Sequence, residues 1–230
     1  MKSLNVAFHW LVHTDGGLLV RILIGCAIFA ALALVDLRRN GRAATRWREY
    51  SVLLIAVAAA LLYGAINDQI TVTISPEYFL YGKELSKAIG DNPPMGQLRW
   101  EAAKVGLKAT WSAGLIFGVV LLLANNPLRS VPRLRNRQLV MYLPLILLTA
   151  AACGVVGGLL GYHGYLARLD SDFADMVAVN LYRPQRFMST WGVHLGGYVG
   201  GLVGTIAAVA GIVFQRRAKF RGLSCNSNTH

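Results

Sequence analysis

Residues 191–214 read WGVHLGGYVGGLVGTIAAVAGIVF, and this stretch decides the fold. It carries no Asp, Glu, Lys or Arg, and its glycines recur every four residues at Gly192, Gly196, Gly200 and Gly204. A spanning helix needs roughly 20 mainly apolar residues, because the hydrocarbon layer is about 30 Å thick and each residue rises about 1.5 Å. The stretch therefore predicts a transmembrane helix with a row of glycines along one face.

Other apolar stretches of similar length precede this one, at residues 17–36, 50–67, 103–124 and 139–161. The whole chain is 55% hydrophobic and only 15% charged, against about 25% charged residues in soluble domains. We therefore predict an all-α membrane protein, with one bundle of about five transmembrane helices over residues 1–214. Short amphipathic helices are expected in two loops, and the basic tail at residues 215–230 is expected to be disordered.

The net charge of +12 is concentrated in three segments, 37–49, 125–138 and the tail, which five spans place on one side of the membrane. The positive-inside rule makes that side cytoplasmic. The predicted location is the inner (cytoplasmic) membrane of a bacterium, with the N-terminus outside and the C-terminus in the cytoplasm. Short arginine-rich loops beside spans suit anionic lipid head groups, so no nucleic-acid partner is expected.

The glycine row of the last span has a counterpart at Gly154 and Gly158 of the preceding span. Small residues four apart let another helix backbone approach closely, which is what drives helix association in lipid. The pattern, a glycine zipper, predicts a close helix contact. Its partner stays open among the preceding span, another span and another subunit of a homo-oligomer or a different membrane protein.

Two long loops, 68–102 and 162–190, are predicted on the outer side. The alternation of polar and apolar residues at 69–74 favours a short extended segment. Ser75, Pro76 and Glu77 then form a helix start, with a serine cap, a proline at the first helical position and an acid in the first turn. Tyr78 begins the apolar face of the amphipathic helix that we expect to lie on the membrane surface.

Ionisable residues at the edge of a bilayer are functional candidates by default. Four of them fall at the predicted outer ends of the spans: Asp68, Glu77, His163 and His194. Carboxylates with imidazoles suit a divalent metal or a general acid–base pair. The alternative is structural, because Glu77 is explained by its helix start and Asp68 by a helix end. Six nearby residues are candidates for ligand binding: Gln69, Thr71, Tyr78, Trp111, Arg183 and Arg186.

Three stretches carry a resemblance, and the shortest is Ala109-Thr110-Trp111 at the start of the third predicted span. Tyr63-Gly64-Ala65-Ile66-Asn67-Asp68-Gln69-Ile70-Thr71 and Glu77-Tyr78-Phe79 resemble an Asp-Gln-x-Thr … Glu-Tyr-Phe loop of a group of uncharacterised small bacterial polytopic membrane proteins. Asn67 and Lys83 stand where that group is associated with histidines. The resemblance implies a bacterial membrane protein and directs attention to this loop, but it implies no reaction.

Three hypotheses follow. The first is a structural or accessory membrane component that packs through the glycine-rich helix. The second is a membrane-embedded enzyme, or a ligand- or metal-binding protein, with its site at the extracytoplasmic rim. The third is an oligomeric channel or carrier. The sequence contains no nucleotide, haem or zincin motif, and it indicates no particular cofactor.

Overall fold

The computed structural model describes residues 15–126, 131–167 and 181–227, and the secondary structure found in these ranges is helical, without a strand. The two N-terminal histidines, His9 and His13, lie outside the described residues. So do Asp170, Asp172 and Asp175, which the sequence offers as ionic partners for Arg183 and Arg186.

The described helices, numbered here in chain order, are seven: α1 Asp15–Asn40, α2 Arg46–Ile74, α3 Ser86–Ile89, α4 Met95–Ala124, α5 Asn136–Val140, α6 Leu143–Tyr162 and α7 Pro184–Ser227. A short 3-10 helix, Gly41–Ala43, follows α1, and a π-helical turn, Tyr78–Gly82, follows α2.

Four segments of the described chain are long and apolar enough to cross a membrane: Arg46–Ile74, Met95–Ala124, Asn136–Tyr162 and Pro184–Phe220. They match four of the predicted spans, and they are compatible with an integral membrane protein. The remaining predicted span, 17–36, falls within α1, and its crossing of the membrane stays a prediction. Helix α7 continues to Ser227, beyond the predicted span end at residue 214 and into the tail that was expected to be disordered.

The chain divides into two compact units, Met1–Val52 and Leu53–His230. In the first unit, the Asp36 carboxylate accepts hydrogen bonds from the backbone N–H groups of Thr45 and Arg46, both at 3.0 Å. The Asn40 side chain also donates to this carboxylate, at 2.7 Å. These bonds satisfy N–H groups at the start of α2 and fix the turn between α1 and α2.

In the second unit, α6 and α7 approach along glycines. A Cβ atom added at Gly204 would lie 2.8 Å from Ile146 Cα, and one at Gly200 would lie 2.7 Å from Ala150 Cα. At Gly192 and Gly196 it would overlap the backbone carbonyl groups of Gly157 and Cys153. A Cβ atom at Gly158 would meet the Val193 side chain at 2.7 Å, and one at Gly154 would meet the Val193 carbonyl oxygen at 3.2 Å. The predicted glycine rows therefore face each other within one chain.

Helices α2 and α4 come close in a similar way. A Cβ atom at Gly64 would lie 2.6 Å from the Gly106 carbonyl oxygen, and one at Gly114 would lie 2.8 Å from the Ala56 carbonyl oxygen. The glycines of α4 at 106, 114 and 118 are four or eight residues apart, so they lie on the helix face that meets α2.

The prediction of an extended segment at residues 69–74 is wrong, because α2 continues as a helix to Ile74. The hydroxyl groups of Thr71 and Thr73 donate to the carbonyl oxygens of Asn67 and Gln69, four residues earlier, at 3.0 and 2.9 Å. These bonds satisfy the hydroxyl groups inside the helix. Polar–apolar alternation over so few residues therefore did not separate strand from helix.

The helix start after α2 is as expected, since Ser75 Oγ accepts the backbone N–H of Tyr78 at 3.3 Å. The rest of this segment differs from the predicted surface helix. The chain forms the π-helical turn, then takes a positive φ of 56° at Glu84, and only then forms α3. Tyr78, Phe79 and Leu80 are buried against Val72, Leu98 and Phe187. These side chains therefore contribute to the protein core, where buried aromatic rings supply large apolar contact areas.

Candidate functional site

A cavity of about 230 Å³ lies between α2, α4 and α7, with α6 contributing to one wall. Much of its wall is apolar and includes Val105, Ile116, Phe117, Leu147, Val193 and Leu202. The few polar groups come from Tyr63, Asn67 and Asp68 of α2, Thr110 of α4, His194 and Tyr198 of α7, and Lys83 after the π-helical turn. Apolar walls with a small number of placed polar groups are typical of small-molecule sites.

Asp68 is the most deeply buried ionisable residue of this wall, with 2% of its surface exposed. Its Oδ1 lies 3.4 Å from the Asn67 amide nitrogen, which donates to it, and 3.8 Å from His194 Nε2. Its Oδ2 is buried and receives no hydrogen bond from any residue that the structure describes. A buried carboxylate oxygen without a donor is costly, so this atom requires a functional or structural explanation.

His194 is held by α2 and by two aromatic rings. Its Nε2 is 3.5 Å from Thr71 Oγ1, and that hydroxyl donates its own proton to the Asn67 carbonyl oxygen. The Thr71 hydroxyl therefore has only lone pairs left for His194. In a neutral imidazole, Nε2 then carries the hydrogen, and Nδ1 is an acceptor. The Tyr78 ring stacks on the imidazole with a centroid separation of 5.1 Å, and the Phe79 edge lies at 6.1 Å.

Lys83 lies at the exposed edge of the same cavity. Its ammonium group is 5.4 Å from the centre of the Tyr78 ring, a cation–π arrangement. Tyr78 therefore connects Lys83 with His194, since one ring contacts both side chains.

Glu77 lies apart from this cluster. Its two carboxylate oxygens accept the backbone N–H groups of Tyr182 and Arg183, at 2.9 and 3.1 Å, just before α7 begins. A carboxylate at a helix N-terminus satisfies free N–H groups and matches the helix dipole. Arg183 and Arg186 line a separate surface recess together with Glu77. These three candidates therefore lie together at the start of α7.

The other candidates also lie elsewhere. Gln69 donates from its amide nitrogen to the Arg99 carbonyl oxygen at 2.9 Å. His163 is exposed beyond the end of α6, with its ring 5.6 Å from that of Tyr162. Trp111 is partly buried in α4 and does not line the cavity. Among residues 15–126, 131–167 and 181–227, no three His, Cys, Asp or Glu side chains are grouped as metal ligands would be.

The structure thus brings together Asp68, Thr71, Tyr78 and His194, and it separates Glu77 and His163 from them. Sequence reasoning did not select Tyr63, Thr110 and Tyr198 for this wall. Two of them could have been found by helical spacing, because residues 63, 64, 67 and 68 share one face of α2, and residues 194, 197, 198 and 201 share one face of α7. Thr110 offered no comparable signal.

Comparison with protein-family models, with curated proteins and with solved structures gave no match. The chemistry available at the site therefore follows from its own geometry. That geometry offers a buried carboxylate, with an imidazole 3.8 Å away, in the wall of a mainly apolar cavity.

Proposed function

We propose that this protein binds an amphipathic ligand, taken from the lipid phase, in the cavity between α2, α4 and α7. The observation that carries the proposal is the buried Asp68–His194 pair in an otherwise mainly apolar wall. Ionisable groups at membrane depth are costly and are kept where they contact a substrate or another polar group. The apolar wall would take the body of the ligand, and the pair would take its polar group.

Exposed residues of the cavity wall indicate a route for the ligand. Ile116 of α4 and Tyr198 and Leu202 of α7 line the cavity and are also 59%, 57% and 62% exposed. Helices α4 and α7 also contact each other much less than α6 and α7 do. A ligand dissolved in lipid would enter laterally between α4 and α7, and a long chain would extend past these three side chains into the bilayer.

The test is photolabelling in lipid nanodiscs with two alkyl diazirine probes, one ended by a hydroxyl and one by a methyl ether. We expect saturable labelling of α4 and α7 peptides that contain Ile116 and Leu202. Ala113→Phe places a ring in the cavity and should remove the saturable fraction. Ala58→Phe, the same change at an exposed position of α2 outside the cavity wall, should leave it intact. Labelling that never saturates, or that is equal in both variants, contradicts the proposal.

The second candidate function is a structural or accessory component that packs through the glycine-rich helix, our first hypothesis. The close approach of α6 and α7 supports this role for the glycines within the chain, as described above. A partner subunit would then have to use another face of α7, where Val199, Val203 and Ile206 are 52%, 47% and 61% exposed. Crosslinking of the Val203→Cys variant in nanodiscs tests for such a partner subunit. If only the monomer is found, the result argues against a partner, a homo-oligomer and an oligomeric channel.

Anionic lipid head groups remain our proposal for the partner of the basic loops. Arg135, Arg137 and Lys219 line one recess at the start of α5 and on α7, together with the exposed Met141. Phosphate oxygens would meet the three cations, and an acyl chain would lie along Met141. This surface would face the cytoplasm if the protein lies in the inner membrane with its C-terminus inside.

A further inference from the structure

The polar group of the ligand can be specified from the hydrogen bonds around Asp68. We propose, on the basis of the ligand cavity proposed above, that the ligand is a neutral lipophilic alcohol whose hydroxyl group donates a hydrogen bond to Asp68. The proposal names a substrate class, an alkyl or isoprenoid chain that ends in a hydroxyl group.

The first step is the need for a donor. Asp68 Oδ2 is buried and unpaired among the described residues, while Oδ1 has only the long bond from Asn67 and the distant His194 Nε2. The side chain is 3% exposed, so water does not compensate it freely. In its ionised form the carboxylate can only accept, and a ligand that satisfies that form must carry an O–H or N–H group.

The second step is the approach to that oxygen. A Cβ atom at Gly106 would lie 3.0 Å from Asp68 Oδ2, and Gly106 also lines the cavity. A side chain at this position would cover the oxygen from the α4 side. The glycine keeps a side chain away from the carboxylate, and because Oδ2 itself is enclosed, a ligand hydroxyl would meet it once the carboxylate turns toward the cavity.

The third step is the tautomer of His194. Because Nε2–H faces Thr71, the remaining ring nitrogen, Nδ1, is an acceptor. With its Nε2–H directed at Thr71, His194 does not supply the donor that Asp68 lacks. The Asn67 amide group is a nearby donor. It can donate a hydrogen bond to the oxygen of a ligand hydroxyl group whose own O–H points at Asp68.

The fourth step is charge. Asp68 and Lys83 are the two charged side chains among the described residues of the cavity wall. The carboxylate disfavours an anionic head group such as a fatty acid, which would place two negative charges together in a poorly hydrated site. A cationic amine would be attracted by the carboxylate, but it would have to lose its water in a mainly apolar wall and would be repelled by the Lys83 ammonium group at the edge. A neutral donor avoids both repulsions, and the hydroxyl group is the smallest that also accepts.

Competition among head groups tests this directly. The protein in nanodiscs is labelled with the hydroxyl diazirine probe, and labelling is displaced by dodecanol, dodecyl methyl ether, dodecylammonium or dodecanoate at equal mole fractions in the bilayer. We expect dodecanol to displace the probe at roughly 10- to 100-fold lower mole fraction than the ether, the factor expected for one hydrogen bond to a charged group. The two ions should compete more weakly than dodecanol.

Asp68→Asn supplies the matched variant, because it keeps the shape of the side chain and removes its charge. In this variant we expect a fall of about tenfold or more in the ratio of the mole fraction of ether to the mole fraction of dodecanol needed for displacement. Asp91→Asn, the same change at an exposed residue before α4, should leave the ratio unchanged. The comparison of dodecanol with its ether on the unmodified protein needs no variant, so it decides the question even if Asp68→Asn does not fold.

The outcomes separate the two proposals. If none of the four compounds displaces saturable labelling, the ligand cavity itself is refuted. If all four compete equally, or the ether equals dodecanol, the cavity binds apolar chains and the alcohol assignment is overturned. Stronger competition by dodecylammonium or by dodecanoate would also overturn it, in favour of a cationic or an anionic head group.

Discussion

Glu77 shows how one side chain can have a complete structural role at a position that also looks catalytic. The sequence offered both roles, as a helix-start acid and as a metal or acid–base candidate. In the structure both carboxylate oxygens accept backbone N–H groups from residues 182 and 183, more than a hundred positions later in the chain. Its partner is therefore the start of α7, a contact that spacing along the sequence does not reveal.

Glu77→Ala should destabilise the protein by about 1–2 kcal/mol, because two N–H groups at a helix start lose their acceptor. Thermal unfolding in detergent measures the loss. Glu84→Ala is the control, since that carboxylate pairs with Lys87 at 2.6 Å on the surface and such pairs contribute little. Equal stability of the two variants would show that Glu77 does not hold the start of α7.

Asp68 and His194 illustrate the opposite case at the same scale. Both were selected from the sequence as ionisable residues at span ends, and their meeting at 3.8 Å was only one of the pairings that the sequence allowed. The supporting contacts from Thr71 and Tyr78 arise because α2 continues as a helix to Ile74. An extended segment would have turned Thr71 in a different direction.

At the scale of the elements, the glycine rows of α6 and α7 are the contact that sequence periodicity anticipated best. Four-residue spacing defines one helix face whatever the surrounding fold, so the face could be read directly. The choice of α6 as the partner of this face could not be predicted from the sequence, since any helix with small residues would fit the same groove.

Gly196→Ala should destabilise the pair of helices by about 1–3 kcal/mol, the usual cost of overpacking, because the added methyl group overlaps the Cys153 carbonyl group. Gly96→Ala is the matched control in α4, where an added Cβ has nothing within 4 Å. There the substitution should be neutral or stabilising by up to about 1 kcal/mol. Thermal unfolding of both variants in the same detergent compares them, and equal melting temperatures would contradict the close contact.

Arg216 anchors the C-terminal half of α7. This side chain is 6% exposed, and its guanidinium donates to the carbonyl oxygens of Ala124, Val131 and Pro132 at 2.7, 3.4 and 3.4 Å. The sequence places this arginine in a basic tail, where it was explained by topology alone. The structure adds that it satisfies one free carbonyl group at the end of α4 and two in the segment before α5.

Arg216→Lys should destabilise the protein by about 1–3 kcal/mol, because one ammonium group cannot reach all three carbonyl oxygens. Arg217→Lys, the same change at the neighbouring exposed position, should have little effect. Chemical denaturation in mild detergent provides the comparison, and a silent Arg216→Lys variant would show that these bonds add no stability.

For the whole molecule, the open question is the number of crossings. Four segments have the length and composition of spans, and α1 would make five. The three basic segments fall on one side of the four spans whether or not α1 crosses, so the predicted orientation is the same in both cases. Only the side on which the N-terminus lies depends on α1.

Single cysteines on a background without Cys26, Cys153 and Cys225 can settle the topology. In intact cells, a maleimide that does not cross membranes should label Asn92→Cys on the outside, and Arg137→Cys only after lysis. Ser3→Cys should be labelled in intact cells if α1 crosses the membrane. Labelling of Ser3→Cys only after lysis would reduce the count to four, and the reverse pattern at Asn92 and Arg137 would invert the orientation.

The sequence by itself determined that the protein is built from long apolar helices, where four of them lie, and which faces carry small residues. These properties depend on composition and on the helical repeat, which act locally. Only the tertiary structure decided that Asp68 meets His194 beside an apolar cavity, while Glu77 and His163 lie elsewhere. That outcome depends on how far each helix extends and which neighbour its glycines face, and both are set by packing between residues far apart in the chain.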